Sequence, residues 1–280
     1  MNRRRKLLQA MGLAGLASLL GRKRASAQSF PFPVSSVPGA KALETWQRIR
    51  GAGNGWPVIL GGDQDMLMLA EPLIWRISGA PDTAEILRRA EGYRFPKDYR
   101  ERIRQGQTGL STLLASPDLA TLSDAIDETL REQGALPTEG PWPAVPPSDP
   151  GLTVASKFDF VGTEMRERRL DHVWIATLPV QHWTEIFARL RYGGWNACPF
   201  PHEHVAAFRH WTARYDLELV GMTFDTLNLR PRRHPASKDE ALSLAYEQYE
   251  FCPDLVDQGI PLVDLAAGLM AGNWWYFWWD

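Results

Sequence analysis

Asn273-Trp274-Trp275-Tyr276-Phe277-Trp278-Trp279-Asp280 closes the chain, and its reading decides the fold. Six consecutive aromatic rings cannot be left in water, since each buries roughly 150–250 Å² when packed. A strand presents alternate residues to opposite faces. Here 274, 276 and 278 oppose 275, 277 and 279, and both sets are aromatic. A strand that is apolar on both faces belongs in the middle of a sheet covered by helices. A flat tryptophan platform that stacks on sugars is the other use of such a run, and core packing is the simpler one. Working back from the tail, Gly193-Gly194-Trp195-Asn196-Ala197-Cys198-Pro199 opens a region holding both cysteines and six of the twelve tryptophans.

Upstream of the tail, helix and strand patterns alternate. His172–Leu178 is rich in β-branched and aromatic residues and reads as a strand ended by Pro179. Gln181–Arg191 places Trp183, Ile186, Phe187 and Leu190 on one helical face. Pro201 starts a second helix with Val205, Phe208, Trp211 and Tyr215 as its buried stripe. Leu217–Phe224 is a strand, and 225–229 turns back beside it. Ser237 with Glu240 three residues on forms a capping-box pattern, and the helix it opens runs to about Phe251. A last helix follows Pro261. The fold class is α+β: a mixed α/β sheet flanked by helices, ending in a buried aromatic central strand, with a smaller N-terminal α/β region.

That N-terminal region spans 28–136. It contains a helix over Lys41–Arg50, a buried strand Trp56–Leu60 and a helix from Pro81 to Ala90. A solvated basic stretch at Arg100–Arg104 and an amphipathic helix at Leu119–Leu130 complete it. Asp63 and Asp65 follow the strand. Two acids fall short of a calcium loop, and Asp63 suits a helix N-terminus. Residues 137–150 hold six prolines (137, 141, 143, 146, 147 and 150), a composition that stays extended, and this is taken as the linker to a C-terminal domain at 151–280.

Residues 1–27 read as a twin-arginine-type signal peptide. Arg4-Arg5-Lys6-Leu7-Leu8 precedes a mildly apolar run too short to span a bilayer, and Ala25-Ser26-Ala27 offers small residues for cleavage after Ala27. The expected location is periplasmic or secreted, with no stable membrane span after cleavage. The segment carries seven of the 31 basic residues and no acid, so the remainder holds 24 basic against 33 acidic residues, a net charge of −9. That sign disfavours nucleic acid as a partner.

Candidate chemistry clusters in the C-terminal part. Cys198 and Cys252 are the only cysteines. In an exported chain they are read either as a disulfide, which contributes about 3–5 kcal/mol for a loop of this length, or as two buried thiols. Cys198, His202 and His204 have zinc or copper ligand types, but on a helix from Pro201 the two imidazoles point apart, so they are weak metal candidates. Asp225, at a strand end, is a candidate general base, with Cys198, Asp254, Asp257 and the terminal Asp280 beside it in sequence logic. Trp195 and Asn196 are candidate binding residues. Turns and helix caps are the plainer use of these acids. No nucleophile elbow, phosphate loop, dinucleotide fingerprint or zinc-protease motif is present, and no cofactor is called for.

Taken together, Gly193-Gly194-Trp195-Asn196-x-Cys198-Pro199, Trp211-x3-Tyr215, Glu218-Leu219-Val220-Gly221, Asp225-Thr226-Leu227, Glu247-Gln248-Tyr249-x2-Cys252-Pro253-Asp254, Val256-Asp257-Gln258-Gly259 and Trp275–Asp280 resemble the bacterial family known as domain of unknown function 4253. The resemblance covers about 172–280 and imports no reaction. Asp216-Leu217 stands where the family pattern has Gly-Ala, and Asn228 where it has an acid, which speaks against a catalytic acid at 228. Two functions follow as expectations. One is an exported binding domain for a protein or small-ligand partner. The other is a periplasmic hydrolase or metal-dependent enzyme built on Cys198, Asp225 and Cys252–Asp257. The enzyme requires those residues to converge on a concave pocket; the binding domain requires them packed, with an open surface elsewhere.

Overall fold

The computed structural model describes residues 30–74, 81–114, 140–161 and 164–280. Eight strands are found there: β1 (Val34–Pro38), β2 (Trp56–Ile59), β3 (Ser156–Val161), β4 (Glu164–Arg169), β5 (His172–Leu178), β6 (Leu217–Met222), β7 (Thr226–Pro231) and β8 (Trp275–Trp278). Six of them form one mixed sheet in the order β1-β5-β2-β6-β7-β8, while β3 and β4 make a separate hairpin. All neighbours in the main sheet are antiparallel except β2 and β6, which run parallel. The α+β class expected from the alternation is therefore the class observed.

The helices are α1 (Ala42–Ala52), α2 (Asp63–Ile74), α3 (Thr83–Glu91), α4 (Lys97–Leu114), α5 (Glu185–Leu190), α6 (Pro201–Tyr215), α7 (Lys238–Phe251), α8 (Asp254–Asp257) and α9 (Leu262–Ala271). Local sequence explains their ends. Asp82 accepts from the Glu85 amide at 2.8 Å at the start of α3, and Ser237 accepts from the Glu240 amide at 3.2 Å at the start of α7. The proline at the head of α6 has no amide to leave unsatisfied.

The core is aromatic. Trp183, Trp211, Trp275, Trp279, Tyr215, Phe187, Phe208, Phe251 and Phe277 are all fully buried. Trp275, Phe277 and Trp279 point from β8 onto α6 and α7, where Phe277 stacks on Trp211 at 5.7 Å between centroids and meets Phe208 and Phe251 edge-on. This strand is buried as its composition demands, but it is not central. It ends the sheet, bonded only to β7. Burial without a second strand is possible because the turn after α7 takes its place. The Cys252 thiol donates to the Trp278 carbonyl at 3.0 Å, and α8 packs against β8. Composition reports burial, and it cannot separate burial by a neighbouring strand from burial by a turn.

The proline-rich stretch divides the sequence, whereas the sheet runs across it. β1 and β2 come from before that stretch, β5 to β8 from after it, and β5 lies between β1 and β2. Trp56 of β2 donates its indole N–H to the Leu219 carbonyl of β6 at 2.9 Å, so the two parts share one core. Just past the prolines, Val154 and Thr153 donate to the Asn228 side-chain oxygen at 2.9 and 3.1 Å. Asn228 is thus a buried amide that docks this segment, which is why an amide serves where an acid would need a counter-charge. Gly221 lies beneath Val154, whose side chain occupies the place of a Cβ there. The expected signal peptide, Pro137 and the expected helix at Leu119–Leu130 lie outside the described residues.

Candidate functional site

The residues singled out above gather around the end of β8, and they are held by packing. Cys198 and Cys252 are buried thiols with no disulfide between them. Each sulfur is engaged elsewhere, Cys252 at the Trp278 carbonyl and Cys198 at 3.4 Å from Nε2 of His204. Burial pushes the Cys198 thiol up and pulls the fully buried His204 imidazole down to about 3. Both partners are neutral, so the pair lacks the thiolate a nucleophile needs. His202 turns away from them and stacks on Phe200 at 12° between planes. The three metal-type side chains do not converge on one point, and among the described residues no group of three such ligands does. A glycine is required at 193, where φ is 98° and a Cβ would fall onto the Pro199 carbonyl and the His204 ring.

Two of the remaining candidates, Asn196 and Asp254, fasten the chain's last residue. Asn196 donates to the Asp280 carbonyl at 2.9 Å, and Asp254 accepts from the Asp280 amide at 3.0 Å and from Gln258 at 2.7 Å. Tyr249 donates to Asp257 at 3.1 Å. Trp195 packs on Phe224. Asp225 sits in the β6–β7 turn, accepting from the hydroxyls of Thr223 at 2.8 Å and Thr226 at 3.0 Å. Its carboxyl is nevertheless raised, because burial outweighs these bonds and that of Trp278.

Strand order adds a residue that the sequence did not pair with Asp225. β2 and β6 are parallel, so the chain leaves both at the same end of the strands, and α2 brings Asp65 there. Asp65 accepts from the Gly62 amide at 2.9 Å at the head of α2. Burial, helped by the charge of Asp225, lifts its carboxyl to about 6. Asp63, expected to cap that helix, instead accepts from Trp174 at 2.7 Å and pairs with His172 at 3.0 Å. Because the folded protein holds the Asp65 proton more tightly than the unfolded chain, its contribution is largest in acid and is lost as pH rises from its ordinary 3.8 through about 6. Asp65→Asn is expected to flatten that stretch of the stability–pH curve by on the order of 2 kcal/mol. Urea titrations of both proteins across this pH range check it, and unchanged slopes would refute it.

An open cleft lies at the opposite ends of the strands. A cleft of about 660 Å³ is bounded by the turn before β2, the end of α3, the segment after β5, and helices α5 and α6. Leu87 and Val180 give it an apolar lining, and Asn54 and Gln181 supply amides. Its charges are Glu91, Glu185, Arg189 and Arg209. Nε of Arg189 is buried without a partner. No sequence motif announced this site, because its lining comes from separated segments brought together only by the shared sheet.

Residues 174–280 match the model of a family described as a domain of unknown function (DUF4253). The match agrees with the resemblance read from the tail to within two residues at its start. No curated protein and no solved structure matches the chain. Glu185, Arg189 and Arg209 fall within the matched part, and Asn54 and Glu91 precede it.

Proposed function

We propose that the chain is a binding domain for a small ligand, seated in the cleft between α3, α5 and α6, and that it works after export. One observation carries the binding reading. The residues an enzyme would need are packed around β8 as neutral thiols, turn acids and chain fasteners, whereas the cleft elsewhere is open and polar. Ligand sites favour such junctions between separately contributed elements. Export is supported by Arg4-Arg5-Lys6-Leu7-Leu8 and Ala25-Ser26-Ala27 alone. A hydrolase remains the second reading, because Asp65 and Asp225 are half-buried carboxyls, both raised, at the carboxyl ends of parallel strands.

Ligand-observed NMR of the full chain against a mixture of small metabolites tests the proposal, with Leu87→Trp as the variant that fills the cleft. Binding that the wild type shows and Leu87→Trp loses is the expected result. Ligands that bind both proteins equally would overturn it. Turnover of a generic ester or phosphoester that Asp225→Asn abolishes would replace it with the hydrolase.

A further inference from the structure

We infer that the ligand of this cleft is a small zwitterion with an apolar substituent, the chemistry of a free apolar amino acid; the inference rests on the reading of the cleft as a ligand site. The argument is one of charges that share a cleft without forming ion pairs. Two guanidinium groups and two carboxylates line one cleft, yet among the described residues none of the four is in an ion pair. The absence is clearest on α5. Glu185 and Arg189 stand four residues apart, in the order and spacing that ordinarily pairs them on a helix. Glu185 instead accepts from the His182 amide at 3.2 Å, and Nε of Arg189 is buried without a partner.

A guanidinium presents parallel N–H donors that fit a carboxylate, and Arg209 on α6 supplies a second cation to the same space. A plain anion would satisfy the arginines and be repelled by Glu91 and Glu185. A plain cation would meet the reverse difficulty. The four charges sum to zero, so the matching ligand carries one charge of each sign and no net charge. Leu87, Pro179 and Val180 then receive an apolar group, and Asn54 and Gln181 add hydrogen bonds that suit either charged head.

The test uses three probes on the full chain by isothermal titration: L-leucine, isocaproate, which lacks its ammonium, and isoamylamine, which lacks its carboxylate. Leucine is expected to bind at least about tenfold more tightly than either half-probe, the difference one charge-assisted contact makes. Arg189→Gln is expected to weaken leucine and isocaproate by a similar factor and not to weaken isoamylamine. Glu91→Gln is expected to weaken leucine and isoamylamine only. Isocaproate binding as tightly as leucine would overturn the zwitterion and leave the cleft standing as a carboxylate site. Leucine binding that survives both Arg189→Gln and Arg209→Gln would also overturn it. Absence of binding by all three, beside metabolite binding that Leu87→Trp abolishes, would discard this ligand class alone. Absence of both would remove the cleft reading as well.

Discussion

Truncating Phe277 to alanine is expected to destabilise the fold by about 3–5 kcal/mol, the range for deleting a large ring from a packed interior. The site cannot collapse around the loss. Phe277 is fully buried, stacked between Trp211 at 5.7 Å and Trp279 at 6.0 Å, and its neighbours are themselves rigid rings. Phe208 and Phe251 meet the stack edge-on, so removing its middle member takes one ring contact from each of four buried aromatics. Urea denaturation followed by far-ultraviolet circular dichroism measures the cost. Tyr276→Ala, on the half-buried opposite face of the same strand, is the control and should cost less. A Phe277→Ala loss under about 1 kcal/mol would mean that β8 is laid on the core and is not part of it.

The same strand marks how far sequence reasoning reached. Its burial was legible because six rings in a row have one physical destination. Its position was not, because side-chain polarity does not record what the backbone edge bonds to. Here the edge is closed in part by Cys252, a residue 26 positions upstream of its partner Trp278. Local devices are legible. Ser237 with Glu240 and the proline at 201 act within a few residues of themselves. Asp65 was visible as an acid after a strand, yet its neighbour Asp225 lies 160 residues away and arrives only because β2 pairs with β6. The cleft is the extreme case, with charges on α3, α5 and α6 that no single motif brings together.

The sequence pattern of Arg100–Arg104 is that of a solvated stretch, yet here the charge of the N-terminal part is tied into the core. Arg102 donates to both oxygens of Glu203, which is fully buried at the head of α6 and also accepts from the Tyr93 hydroxyl at 2.7 Å and the Phe200 amide at 2.9 Å. Arg100 reaches Glu250 on α7. Arg102→Met is expected to cost about 3 kcal/mol, because it leaves a carboxylate in the interior with only neutral donors. The value sits at the low end for buried pairs, since the Arg102 side chain keeps 38% of its exposure. Adding Glu203→Gln to Arg102→Met should recover part of that loss, as the stranded charge goes and the hydrogen bonds to Tyr93 and Phe200 can persist. Thermal and urea unfolding of the single and double variants measure both effects. A single-variant cost below about 1 kcal/mol would class the contact with surface pairs, which contribute little. The expected cost carries a consequence for the matched family. With Glu203 neutralised by α4, Trp56 bonded to β6 and β2 between β5 and β6, residues 174–280 do not hold a complete core by themselves. In this chain the domain is finished by the strands and helices that precede it.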